Sequence, residues 1–198
     1  GLPRTAAERM EAGQLWQMII VMPEGGRGYW ANSLTGEGEP WADYVINDLI
    51  PFIDKSYRTF PQASQRAVGG LSRGGSGALY LALTHPEVFS IVGAHSPSLP
   101  DYAGIESPAI SESDFPLYDP IEIARNVDPA RAPRIWLDVG DADDWRPAVE
   151  LLDHTLTARG IPHAFSEGDG GHLQEYWIAR TPEYLQFYAE AFQEPVVP

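Results

Sequence analysis

The sequence predicts an α/β protein built on a mostly parallel, doubly wound sheet. Short apolar runs alternate with helix-like stretches, and the runs at 18–22, 90–95 and 134–140 are almost continuously apolar. Continuous apolar runs are typical of strands buried on both faces, as in parallel sheets. A third observation is the glycine-rich segment 70–74, which separates an apolar run from a helix-like run. Strands that alternate with helices in this way favour parallel strand pairing.

Composition sets the size of the fold and excludes some partners. A chain of 198 residues, 43% of them hydrophobic, is large enough for one domain, and we predict a single domain over 1–198. The net charge of −15 argues against nucleic acid and against an anionic membrane surface. The sequence has no cysteine, which excludes disulfides and thiolate metal sites. It leaves the compartment open between cytoplasmic and secreted.

The first quarter of the chain predicts a helix, a strand and a second helix. Residues 1–14 have the pattern of a helix that stops at Gly13. Residues 18–22 predict a strand buried on both faces, and 41–57 predict a helix kinked or restarted at Pro51.

The loop after the first predicted strand contains Gly25 and Gly26. Ligands of open α/β sheets bind at the carboxyl ends of strands, so we expect this loop to form a wall of the pocket. The alternative is a glycine-rich turn without a further role.

The rest of the chain continues the alternation. Residues 97–133 are rich in proline and weakly periodic, and we expect them to form an insertion over the active edge of the sheet. The other predicted elements are strands at 67–71, 90–95, 134–140 and 163–167 and helices at 78–83, 121–126, 147–159 (stopped by Gly160) and 174–192 (interrupted at Pro182).

The Gly70-Leu71-Ser72-Arg73-Gly74 segment has the spacing of a nucleophile elbow, a sharp turn between strand and helix that exposes a serine hydroxyl. Small residues are needed at Gly70 and Gly74 because the turn is crowded. The backbone N–H of Arg73, in the first helical turn, would face a developing oxyanion. The spacing arises by chance in about one chain in ten of this length, but the flanking strand and helix favour a nucleophilic Ser72.

A serine nucleophile needs a base, and a histidine base needs a carboxylate. His172 follows a glycine-rich loop after the last predicted strand, so we predict that it is the base. His95 ends a strand and is a candidate for lining the pocket. The remaining histidines are most simply structural: His85, His154 and His163.

The acid lies in the loop after the 134–140 strand, where Asp141, Asp143 and Asp144 are all candidates. We expect one of them to reach His172, and the others to be solvated or to cap a helix. Asp138 lies inside the strand and would point into the packing of the sheet.

Three segments together resemble the esterase D family, which includes feruloyl and acetyl-xylan esterases, S-formylglutathione hydrolases and mycolyltransferases. They are Val68-Gly69-Gly70-Leu71-Ser72-Arg73-Gly74-Gly75, Leu137-Asp138-Val139-Gly140-Asp141-Ala142-Asp143 and Gly170-Gly171-His172-Leu173-Gln174-Glu175-Tyr176-Trp177. The resemblance covers nearly the whole chain and implies an α/β-hydrolase fold. It also implies that the acid is Asp143, three residues after the strand-end glycine, with Asp144 as the second choice.

The sequence departs from the family pattern at its amino-terminal end. Members of the family normally carry an earlier strand pair and a loop that donates a second N–H to the oxyanion, so we expect a fold that lacks the usual first strands. The 18–22 strand would then be an unpaired edge. We expect another chain or a second copy to pair with it, or the N–H of Gly25 or Gly26 to replace the missing donor.

We therefore predict a serine carboxylesterase that acts on a small-molecule ester through an acyl-enzyme, without a metal or organic cofactor. Trp177 and other tryptophans are candidates for substrate contacts, although core packing explains them about as well. An acyltransferase of the mycolyltransferase type and a catalytically silent binding module remain alternatives.

Overall fold

A computed structural model describes residues 1–25, 29–33, 38–101, 103 and 110–193. Within these ranges four parallel strands form one sheet whose spatial order follows the chain. The strands are β1 (Ala67–Leu71), β2 (Ile91–His95), β3 (Arg134–Gly140) and β4 (His163–Gly168). The described helices are α1 (Leu2–Glu11), α2 (Trp41–Asp43), α3 (Ile50–Ser56), α4 (Arg73–Thr84), α5 (Pro120–Asn126), α6 (Arg146–Arg159) and α7 (Gln174–Ala191). The predicted α/β class with a parallel sheet is confirmed.

One face of the sheet carries the main hydrophobic core. Alternate residues of the strands point towards α4, α5 and α6 because side chains in a strand alternate between its faces. Leu79 of α4, Val92 and Leu137 of the sheet and Leu152 of α6 are fully buried in this cluster. This packing fixes the helix that follows Ser72 against the strands.

The other face of the sheet holds a buried polar network centred on Asp138, which is fully inaccessible to solvent. One carboxylate oxygen lies 2.6 Å from Nδ1 of His95, and the other accepts hydrogen bonds from Tyr176 (2.9 Å) and Tyr184 (3.0 Å). The Nε2 atom of His95 lies 3.0 Å from the hydroxyl of Tyr188. All three tyrosines belong to α7, so the network joins this helix to two strands.

The tyrosine hydroxyls of the network resist ionisation. Burial raises the pKa of Tyr176, Tyr184 and Tyr188 above the usual tyrosine range, and the negative charge of Asp138 raises each pKa further. The three hydroxyls therefore stay protonated and available as hydrogen-bond donors.

The 18–22 segment is not a strand, and the prediction of a strand buried on both faces is wrong. Met18 and Ile20 pack against a small cluster that α1 and α7 share, whereas Ile19 and Met22 are 50% and 65% exposed. A buried strand needs partner strands, and within the described ranges this segment pairs with none. Among the described residues the edge strand on this side of the sheet is β1. Pairing of the 18–22 segment with another chain or with a second copy stays a prediction.

The two prolines that were predicted to interrupt helices, Pro51 and Pro182, both lie within continuous helical backbone. Before Pro51, the helix forms a π-helical turn (Tyr44–Leu49) in which the N–H of Ile50 donates to the carbonyl of Val45, and α3 follows without a break. This turn accommodates a proline, which has no N–H to donate, so the predicted restart is wrong and the alternative, a kink, stays a prediction. The predicted interruption at Pro182 is wrong, because α7 continues through it. The bonds from Tyr176 and Tyr184 to Asp138 hold α7 to the sheet on both sides of Pro182.

Residues 97–133 contain α5 and short 3₁₀ turns at Phe115–Leu117 and Pro129–Arg131. Residues 102 and 104–109 lie outside the described residues, so the position of the whole insertion over the site stays a prediction. None of the helices in the described ranges has the length and apolarity needed to span a membrane.

Replacing Asp138 by alanine should lower the free energy of unfolding by about 3–5 kcal/mol, because it leaves His95 and two tyrosine hydroxyls buried without their acceptor. Urea denaturation of the variant would measure this loss. Asp144 is exposed, so Asp144→Ala is the matched control and should change stability by less than about 0.5 kcal/mol. Equal losses of unfolding free energy in the two variants would contradict a role of the network in stability.

In an alkaline titration, the tyrosines of the network should ionise at a higher pH than the other tyrosines. Their pKa values are raised in the folded state, so their contribution to stability is complete below about pH 10, the ordinary tyrosine pKa, and is lost as the pH rises further. We expect tyrosinate absorbance at 295 nm to rise in two phases, the second coinciding with loss of far-ultraviolet circular dichroism. Ionisation of all tyrosines in a single phase, with the circular dichroism of the folded protein retained, would contradict the burial of the three tyrosine hydroxyls in this network.

Candidate active site

The turn between β1 and α4 has the strained geometry of a nucleophile elbow. Ser72 has φ 53° and ψ −122°, a conformation that side-chain-bearing residues rarely adopt. A Cβ atom on Gly70 would lie 2.3 Å from the carbonyl carbon of Gly74, so only glycine fits at that position. The carbonyl of Ser72 accepts hydrogen bonds from the N–H groups of Gly75 (2.9 Å) and Ser98 (3.1 Å). These contacts hold the strained turn in place.

The three residues of the predicted triad lie within hydrogen-bond distance of one another. Nε2 of His172 lies 2.7 Å from Oγ of Ser72, and its Nδ1 lies 3.0 Å from Oδ2 of Asp143. Asp143 is 5% exposed, and its other oxygen accepts the backbone N–H of Trp145 at 2.8 Å. This geometry suits the tautomer with the proton on Nδ1, in which Nε2 would accept a hydrogen bond from the Ser72 hydroxyl.

The structure separates the three acid candidates. Asp143 contacts His172, whereas Asp144 is exposed to solvent. Asp141 is exposed, as predicted for the remaining candidates, and its carboxylate also accepts the N–H of Gly170 at 2.9 Å. This bond joins the loop after β3 to the loop that carries His172. The signal available in the sequence was only the place of Asp141 in the loop after β3.

Ser96, the residue directly after β2, was missed by the sequence analysis. Its side chain is fully buried, and its hydroxyl donates to Oδ2 of Asp143. The same hydroxyl lies 3.3 Å from Nδ1 of His172. Its position after the last residue of a parallel strand, one step beyond His95, was the signal that could have identified it.

His95 does not line the site, contrary to expectation. It is 3% exposed and both ring nitrogens are occupied, by Asp138 and Tyr188. Its side chain lies on the face of the sheet covered by α7, so a substrate cannot reach it. Trp177 does lie beside the triad, with its ring 5.0 Å from that of His172 in an edge-on arrangement.

The candidate donors to the oxyanion are the N–H of Arg73, at the start of α4, and the N–H groups of Gly25 and Gly26, in the loop after residues 18–22. The backbone N–H of Arg73 is the first amide of α4, where the helix dipole favours negative charge. Gly25 is buried against Trp30, since an added Cβ would lie 2.2 Å from that indole. Trp30 also covers Gly77, so its indole lies between Gly25 and α4. Gly26 lies outside the described residues, and the second donor stays a prediction.

A cleft opens next to the elbow helix. Ser76 and Ser98 line it, and the backbone N–H of each donates to the carbonyl of Ser72. Tyr80 and Tyr118 form a stacked pair in its wall, 6.0 Å between ring centroids. The other lining residues are Tyr29, Leu99, Pro100, Ile110, Phe115, Asp119 and Pro120. The cleft is thus mostly aromatic and apolar, and its volume of about 20 Å³ leaves room for about one water molecule.

Solved structures of esterases share this fold. A ferulic acid esterase superposes with a TM-score of 0.81 at 24% identity, covering 95% of this chain and 76% of that one. An S-formylglutathione hydrolase from Agrobacterium tumefaciens superposes with a TM-score of 0.69 at 21% identity, covering 83% of this chain and 63% of that one. At these identities the likeness shows a common α/β-hydrolase fold.

Sequence comparison agrees with the structural one. Esterase Rv1288 of Mycobacterium tuberculosis strain H37Rv is 28% identical over 190 residues, which cover 79% of this chain and 42% of that protein. The chain thus matches less than half the length of this relative. The Esterase family, described as "Putative esterase", matches residues 4–188. The chain therefore belongs to this esterase family of the α/β-hydrolase type, as its resemblance to esterase D predicted.

Proposed function

We propose that this domain is a serine carboxylesterase that uses Ser72, His172 and Asp143 as a catalytic triad and forms an acyl-enzyme. The observation that carries the proposal is the position of the His172 ring, 2.7 Å from the serine hydroxyl on one side and 3.0 Å from the carboxylate on the other. The family and the fold support the same class of reaction.

Acylation begins with attack of Ser72 Oγ on the carbonyl carbon of the ester, while His172 Nε2 takes the hydroxyl proton. The carbonyl oxygen becomes an oxyanion, and we assign the Arg73 N–H as one of its donors. When the tetrahedral intermediate collapses, the bond to the alcohol breaks and His172 returns the proton to the leaving oxygen. Asp143 stabilises the imidazolium in between.

Deacylation repeats these steps with water as the nucleophile. Water attacks the acyl carbon as His172 removes one of its protons, and collapse breaks the bond to Ser72 Oγ, which regains a proton. The side chain of His172 is 25% exposed, so water can approach the base. This access supports hydrolysis as the fate of the acyl group.

We expect the substituents of the ester to lie outside the cleft beside α4, which has room for about one water molecule. Trp177, whose ring lies 5.0 Å from that of His172, is the aromatic side chain that we propose as a substrate contact. A panel of p-nitrophenyl esters of increasing chain length, with aryl-acyl esters and acetylated sugars added, would define the preference.

Replacement of Ser72 by alanine should abolish both ester hydrolysis and labelling by a fluorophosphonate probe. His172→Ala should lower kcat at least roughly a thousandfold, because the serine loses its base. Asp143→Asn should be much more harmful than Asp144→Asn, its matched neighbour. Absence of labelling in the wild-type protein would favour a catalytically silent module, and a larger effect at Asp144 would reject the assignment of the acid.

Transfer to an alcohol remains the competing fate of the acyl-enzyme. If deacylation by water dominates, added methanol or a sugar acceptor should change the product ratio only in proportion to acceptor concentration, without saturation. Chromatography of acid and ester products from one acyl donor would measure the partition. Saturable transfer that exceeds hydrolysis at millimolar acceptor would identify an acyltransferase instead.

A further inference from the structure

We propose that Ser96 is a positioning residue of the active site, which acts on His172 through the carboxylate of Asp143. The inference rests on the proposed function, since it assigns a role within the same triad.

The hydroxyl of Ser96 reaches the two supporting members of the triad. It donates to Oδ2 of Asp143 and lies 3.3 Å from Nδ1 of His172, with the whole residue excluded from solvent. It therefore contacts the same carboxylate oxygen that accepts the hydrogen bond from the imidazole N–H. The geometry gives it no contact with the reacting hydroxyl, so its effect must pass through the other two side chains.

The hydrogen bonds to Asp143 explain what Ser96 contributes. Oδ1 of Asp143 accepts the N–H of Trp145 at 2.8 Å, and Oδ2 accepts both Ser96 and His172. The Trp145 N–H on one oxygen and the Ser96 hydroxyl on the other are both held by the fold, and together they restrict the terminal torsion of the carboxylate, which is otherwise broad. With the Ser96 hydroxyl removed, Oδ2 keeps only the moving imidazole as its partner. The orientation of His172 towards Ser72 is then less well fixed.

The backbone of Ser96 also indicates a role beyond packing. Its φ is +50°, in the left-handed region that glycine adopts without strain. The conformation is held because the N–H of Ser96 donates to the carbonyl of Asp138 (2.8 Å) and the N–H of Ser98 donates to that of Ser72 (3.1 Å). A glycine would fit this backbone better, so the hydroxyl is the property that a serine adds. Strained residues of this kind cluster at functional sites.

Two variants separate the hydroxyl from the backbone. Ser96→Ala removes the hydroxyl and keeps the strain, whereas Ser96→Gly removes both. We expect each to lower kcat about tenfold with KM changed less than twofold, since the missing hydrogen bond orients catalytic groups rather than binding substrate. The melting temperature of Ser96→Gly should equal or exceed that of Ser96→Ala. Ser90 lies just before β2 and donates to Ala63 at 2.8 Å, so Ser90→Ala is the control and should keep its kcat.

A double-mutant cycle tests whether the effect passes through Asp143. In the Asp143→Asn background, adding Ser96→Ala should change kcat less than about twofold, because the group on which the hydroxyl acts is already lost. The assay uses p-nitrophenyl acetate at high enzyme concentration, with Ser72→Ala as the blank.

Wild-type kcat in Ser96→Gly, or a full tenfold loss in both backgrounds, would overturn the proposal for Ser96. If Ser72→Ala itself retained activity, the proposed function would fail first. The two failures are therefore distinguishable.

Discussion

The register of the parallel strands is the constraint on which the site depends. Leu71, His95 and Asp138 are direct partners across three neighbouring strands. Ser72 and Ser96 each lie one residue beyond this row, and their N–H groups continue the ladder to the carbonyls of His95 and Asp138. A slip of one residue would reverse the side chains of a strand from one face to the other. The register of the strands thus sets where Ser72 and Ser96 leave the sheet.

The buried carboxylate of Asp138 connects the strands to the helix that begins just after His172. It binds His95 of the adjacent strand and two tyrosines of α7, the helix that starts just after His172. A lone buried charge would be costly, and these donors offset its loss of water. Gly69 and Gly93, on neighbouring strands, leave space for the hydroxyl of Tyr188. A Cβ atom would lie 1.8 Å from this hydroxyl on Gly69 and 2.2 Å from it on Gly93.

Backbone strain is concentrated where the chain leaves the sheet. Ser72 and Ser96 both have positive φ, 53° and 50°, at the carboxyl ends of neighbouring strands. The two turns are joined directly, because the N–H of Ser98, two residues after Ser96, donates to the carbonyl of Ser72. Two strained turns that share a hydrogen bond cannot relax independently. The hydroxyls of both serines lie near the His172 ring, Ser72 at Nε2 and Ser96 at Nδ1.

Local sequence by itself determined the elbow at Ser72, the parallel strands around it and the helix stop at Gly160, because glycine spacing and apolar runs act over a few residues. It placed the acid of the predicted triad in the loop after β3, and the family resemblance indicated Asp143 among the candidates in that loop. Only the tertiary structure decided the contacts of Asp141 and Ser96 and the burial of His95, since these depend on residues far apart in the chain. The same holds for residues 18–22, whose apolar run predicted a buried strand. Burial of a strand requires partners across the sheet, and no local pattern records whether they are present.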